Sequence, residues 1–242
     1  MTEIIPAIDI IGGRCVRLTK GDYGTAKVYD GNPVDIAKAY EDAGCRKLHV
    51  VDLDGAKSQH IVNHRTLDKI ASGTNLTIDF GGGIKYEEDI KMALDYGASK
   101  VTLGSIAVSN PDLSLAWLNQ YGCDKIIIGA DTRNGKISTS GWLQDSDMEI
   151  MDFLVSYIGN GATQVISTDI NVDGTLNGPS VGLYRDILNH FPELYLIASG
   201  GVGGMVDVHS LNEADVPAVI VGKALYEGKI TTKELEKYNL QK

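Results

Sequence analysis

Eight short apolar, β-branched runs recur along the chain, at residues 4–8, 47–51, 76–80, 100–103, 125–130, 164–168, 195–199 and 218–221. Most lack polar alternation, as expected of parallel strands buried on both faces. Helical patterns follow them at 33–43, 65–72, 86–96, 112–121, 148–160, 181–191 and 205–212, and the last helix is split between 224–226 and 232–238. Asn110-Pro111 and Gly178-Pro179 mark helix starts, because proline fits a first turn and disfavours helix before it. Strands alternating with crossover helices predict an α/β fold with a parallel sheet. The stretches 10–32 and 132–147 read as loops, and their length makes them candidate lids.

An internal repeat turns the strand count into a closed shape. Asp9 and Asp131 lie 122 residues apart (131 − 9), and Asp52 and Asp169 lie 117 apart (169 − 52). Gly82-Gly83 and Gly200-Gly201 are separated by 118 (200 − 82), as are Gly104 and Gly222 (222 − 104). Four matches in order, each just after a strand, predict a (β/α)8 barrel of the TIM type built from two four-stranded halves. With no linker or low-complexity tract, residues 1–242 read as one barrel domain.

Composition narrows the partners. Of 242 residues, 43% are hydrophobic and 22% charged, enough apolar material for a large core. The formal net charge of −10 argues against a broad surface for nucleic acid or an anionic membrane. A phosphorylated metabolite remains compatible, since charges beyond about 8 Å are screened and a local site can be positive. The start MTEIIPAIDIIGGR has no basic segment before its short apolar run, so a cytoplasmic protein, working as a monomer, is expected. Cys15, Cys45 and Cys123 are odd in number and far apart, and suggest neither a disulfide framework nor a metal site. No Walker A sequence is present and GGVGGM lacks the third glycine of a dinucleotide fingerprint, so no cofactor is expected.

Chemistry in such a barrel belongs at the C-terminal strand ends. Glycine there lets backbone N–H groups approach an anion closely. One cluster combines Gly81, Gly82, Gly83, Gly104 and Ser105; the other combines Gly178, Gly200, Gly201, Gly222 and Lys223. A single cluster could be turn geometry alone, but two at equivalent positions favour two phosphate sites. Asp9 in IIPAIDII and Asp131 after IIIGA are carboxylates in apolar runs, where burial is costly without a polar cavity or partners. Facing each other between two anion sites, they suit a divided acid and base role. His49, Asp52, Asp54 and Asp169 are secondary candidates whose role could equally be to order loops, and Trp142 in SGWL could stack on a planar base or simply pack.

At these residues the chain resembles the phosphoribosylformimino-5-aminoimidazole carboxamide ribotide isomerases of histidine biosynthesis. The segments that carry the resemblance are IPAIDIIGGRCVRLTKGDY, HVVDLDGAK, FGGGI, LGSIA, GADTRNGKISTSGW, STDINVDGTLNGP, ASGGV and VIVGKALYEGK. The resemblance implies a cofactor-free Amadori rearrangement of a bisphosphorylated aminoaldose to its aminoketose. By it, Asp131 protonates the ribose ring oxygen, Asp9 removes the proton from the adjacent sugar carbon, and Thr168 assists by a hydrogen bond. Lys85 stands where many members carry Arg, and loses the bidentate geometry. Three alternatives stay open: the cyclase subunit of imidazole glycerol phosphate synthase, whose first strand usually carries Cys before the Asp; a dual-specificity isomerase that also takes phosphoribosylanthranilate; and a non-catalytic phosphosugar-binding barrel.

Overall fold

The computed structural model describes residues 1–139, 142 and 144–241. Its strands are β1 (Glu3–Ile11), β2 (Arg14–Thr19), β3 (Asp22–Val28), β4 (Lys47–Asp52), β5 (Thr77–Gly81), β6 (Lys100–Leu103), β7 (Ile126–Arg133), β8 (Lys136–Thr139), β9 (Gln144–Glu149), β10 (Gln164–Asp169), β11 (Tyr195–Ser199) and β12 (Ala218–Val221). Eight of them are parallel neighbours in the order β10-β11-β12-β1-β4-β5-β6-β7, and β7 pairs back onto β10. This closes the predicted (β/α)8 barrel, and every predicted strand lies in it. Helices such as Pro33–Asp42, His64–Gly73 and Val181–His190 cover the outside. Among the described residues, no helix is long and apolar enough to cross a membrane.

Strand alternation divides the core in two. Residues pointing outward, including Ile8, Ile10, Val50, Ile78, Val101 and Ile128, pack against the helices. Inside the barrel, Ile5, Ala7, Ile127, Ile166, Ile197, Ala218 and Ile220 form a second cluster. Every member of that inner cluster comes from β1, β7, β10, β11 or β12. On β4, β5 and β6 six of the positions that line the interior cavities are polar: Lys47, His49, Thr77, Asp79, Lys100 and Thr102. At the barrel floor Lys47 Nζ reaches Glu3 Oε2 and Tyr195 Oη, each at 2.8 Å, and Lys100 Nζ donates to Gln164 Oε1 at 2.7 Å.

Most described residues of the stretches read as loops are antiparallel strands instead, while residues 140, 141 and 143 of the second stretch lie outside the described residues. β1 runs past the mouth and turns back as β2, with Asp9 opposite Val16, and β2 pairs with β3. β7, β8 and β9 form the matching antiparallel excursion in the second half. Their pattern was hidden because these strands are short or lie outside the core: β3 is exposed along its whole length, while β2 and β8 bury only a few residues each. Two short helices, Leu53–Ser58 and Ser105–Ser109, were also missed, being five or six residues long.

Candidate active site

A cavity of about 290 Å³ opens at the C-terminal mouth, and both Asp9 and Asp131 line it. β1 and β7 stand opposite each other, with three strands between them either way round the barrel. The hairpin brings Arg17 over Asp9: its Nη1 donates to Asp9 Oδ2 at 2.7 Å and its Nη2 to the Ala7 carbonyl at 2.6 Å. The guanidinium also lies 5.4 Å from the Tyr226 ring centroid.

Across the cavity, Trp142 Nε1 donates to Asp131 Oδ2 at 2.8 Å, and the Thr168 hydroxyl is a second partner from the neighbouring strand. Burial pushes the Asp131 carboxyl above its ordinary range, against the pull of Trp142, Thr168 and the His49 charge. Asp173, on the loop after β10, lines the same cavity. Burial pushes it up to about 7; Arg17 opposes this, while Asp9 and Asp131 add to it. An acid that holds its proton near neutral pH therefore shares the cavity with an Arg-paired carboxylate, an arrangement suited to opposite proton-transfer roles.

The two glycine clusters form matching arcs on either side of these acids. Gly82 and Gly83 have φ of +93° and +85°, and Gly200 and Gly201 have +96° and +84°. A Cβ on Gly82 would strike the Asp52 carbonyl, and one on Gly201 the Gly178 carbonyl, so side chains are excluded there by both conformation and space. The repeat continues into the helices that follow. Asp89 accepts from the backbone N–H groups of Lys85 and Tyr86, and Asp207, 118 residues on (207 − 89), accepts from those of Gly203 and Gly204. Gly81, Gly104 and Ser105 complete one arc, with Lys85 Nζ 2.5 Å from Ser105 Oγ; Gly222 and Lys223 complete the other. Lys223 Nζ donates to the Gly174 carbonyl at 2.6 Å.

Two expected site residues are placed elsewhere. Gly178 and Asp169 do not line the cavity. Gly178 N donates to the Gly201 carbonyl at 2.9 Å and so braces the arc from behind. Asp169 follows the inward-facing Thr168 and is turned away by strand alternation; it accepts from Ser180 Oγ at 2.6 Å and Asn171 N at 2.9 Å. Its counterpart Asp52 is likewise structural, accepting from Gly55 N, Val62 N, Asn63 N and Asn63 Nδ2. Sequence reasoning missed Arg17 and Asp173 as site residues. Asp173 had a legible signal, a carboxylate next to Gly174 just beyond a strand end, whereas Arg17 depends on a hairpin that was read as loop.

Among the described residues, no cluster of three or more His, Cys, Asp and Glu side chains is placed to hold a metal ion. Fold and site together define a (β/α)8-barrel enzyme with its chemistry at the C-terminal mouth. The chain belongs to the histidine biosynthesis protein family, which matches residues 3–231. It is 58% identical, over 98% of its length and all of the relative's, to the 1-(5-phosphoribosyl)-5-((5-phosphoribosylamino)methylideneamino) imidazole-4-carboxamide isomerase of Bacteroides fragilis. Relatives of the same name in Parabacteroides distasonis and Cytophaga hutchinsonii are 52% and 49% identical, over 98% and 99% of this chain and all of theirs.

Proposed function

We propose that the protein is the isomerase its relatives are named for, acting in the cytoplasm as a monomer. It rearranges the bisphosphorylated aminoaldose to its aminoketose in histidine biosynthesis. The observation that carries this reading is the pair of opposed carboxyl groups, Asp9 and Asp131, in one cavity between two glycine arcs. The arcs would seat one phosphate each, which fixes the ribose between the acids.

Asp131, whose carboxyl burial raises, supplies the proton to the ribose ring oxygen, and Asp173, pushed up to about 7 mainly by burial, lines the same cavity. The C1–O bond breaks and leaves an iminium at C1 and a hydroxyl at C4. Asp9, ion-paired to Arg17, takes the proton from C2, and the C–H electrons move to the iminium nitrogen. The resulting enolamine becomes the ketone as C1 gains a proton and the C2 hydroxyl loses one, so the enzyme's acids return to their starting states. The substrate's own nitrogen acts as the electron sink.

Incubation of the purified protein with the aminoaldose, with and without ammonia, followed by identification of the product, tests this reading. The expected product is the aminoketose, formed at the same rate in both. A cyclised product that needs ammonia would reassign the chain as a cyclase, and absence of turnover would leave only a phosphosugar binder.

A further inference from the structure

Three of the positions inside the barrel at which the twofold repeat breaks lie together. His49 corresponds to Ile166 (166 − 49 = 117), Asp79 to Ile197 (197 − 79 = 118) and Thr102 to Ile220 (220 − 102 = 118). In the second half these three isoleucines are buried together in the inner apolar cluster. In the first half the three polar residues are bonded in a line across β6, β5 and β4: Thr102 Oγ1 donates to Asp79 Oδ1 at 2.6 Å, and Asp79 Oδ2 meets His49 Nδ1 at 2.5 Å. Register sets the last contact, because His49 and Asp79 are Cα partners on adjacent strands.

The half-barrel thus packs with isoleucine at these sites, so folding alone does not call for polar groups there. Burying an imidazole and a carboxylate is costly unless each is paired. The pair that results is aimed at the reaction. His49 lines the mouth cavity with its Nδ1 committed to Asp79, leaving Nε2 as the ring nitrogen open to the cavity. We propose that Asp79, braced by Thr102, is a positioning residue that fixes the orientation of the His49 ring through Nδ1 and favours its imidazolium form at the edge of the acid–base pair. This rests on the isomerase reading above for its consequence, though not for its geometry.

The groups facing His49 bear this out. Asp79 approaches from β5, Asp9 from β1 and Asp131 from β7, with Arg17 from the hairpin as the opposing charge; Lys100, on β6, faces Asp79 from the floor side. Burial pulls the imidazole pKa down, but the charge and hydrogen bond of Asp79, followed by Asp9, more than offset it, and the net direction is up. A cation held there stabilises the ionised carboxylates and presents an N–H to the sugar. A neutral ring would present a lone pair and leave the acids of the cavity without that charge.

The test is the titration of His49 by ¹⁵N-edited NMR in the whole protein, read alongside the pH dependence of kcat/KM. In the wild type, His49 should titrate above an exposed histidine, with Nδ1 protonated throughout; a midpoint at or below about 6.5, or a proton on Nε2 alone, overturns the proposal. In Asp79→Asn, the midpoint should drop, and kcat/KM should fall about tenfold more at pH 8 than at pH 6, the effect of a shift of about one pH unit. A uniform loss at all pH values with the His49 titration unmoved would make Asp79 merely structural. Should Asp79→Asn not fold, the wild-type titration still decides. Should the wild type lack isomerase activity while His49 titrates as expected, the functional reading falls and the charge pair stands.

Discussion

The indole of Trp142 donates to Asp131 at 2.8 Å, and the same ring leaves no room for a side chain on Gly21 in the opposite hairpin. One aromatic residue therefore ties both rim hairpins to a proposed catalytic acid. Trp142 takes a φ of +72°, unusual for a bulky residue, which fits a loop conformation held by its contacts. Trp142→Phe keeps the ring against Gly21 and removes the donor. The Asp131 carboxyl, already raised by burial, should move further up, and kcat should drop by roughly 10-fold, the scale of a lost hydrogen bond to a charged group. A pH–rate profile that matches the wild type would show the contact to be idle.

The glycine arcs make a symmetric prediction. Gly82→Ala and Gly200→Ala both force a side chain onto a backbone with φ above +90°, next to the carbonyls of Asp52 and Asp169 respectively. Each should lose about 1–3 kcal/mol of stability, measured by urea unfolding, and each should weaken inorganic phosphate as a competitive inhibitor. Loss of phosphate affinity in one variant alone would break the two-site reading.

Asp173 predicts a stability that depends on pH in an unusual direction. Its carboxyl is raised in the folded state, up to about 7 from 3.8, so folding takes up a proton there. The contribution is fully present below the unfolded value of about 4 and is lost as pH rises to 7. His49, also raised, adds a loss in the same direction as pH passes through its folded value. Asp173→Asn should flatten this slope between pH 4 and 7 and raise stability at pH 8 by on the order of 2 kcal/mol, while lowering turnover. Chemical denaturation at pH 5 and pH 8 measures it, and an unchanged slope would refute the assignment.

How far the sequence could be read follows from what burial does to it. Most of the barrel strands were legible because strands buried on both faces become continuous apolar runs, and β4, β5 and β6, which carry polar residues inward, kept enough outward apolar positions to be read. The hairpin strands were not, since segments such as Arg14–Thr19 and Asp22–Val28 sit at the rim and mix Arg, Lys, Asp and Thr with glycine. Asp9, Asp131 and the glycines stood out in the sequence because they repeat. His49 was named only as a secondary candidate, and its partners Asp79 and Thr102 escaped for the opposite reason: a search for shared features passes over the positions where the halves differ. Asp169 misled because its carboxylate sits at a strand end like the others, and only strand alternation turns it away from the cavity.

Turnover of the Asp9→Asn and Asp131→Asn proteins on the aminoaldose tests the opposed-acid mechanism most directly. Each should fall by at least about 10²-fold, the scale of a positioned acid or base, with unfolding curves close to wild type. Turnover at the wild-type rate in either protein would contradict it.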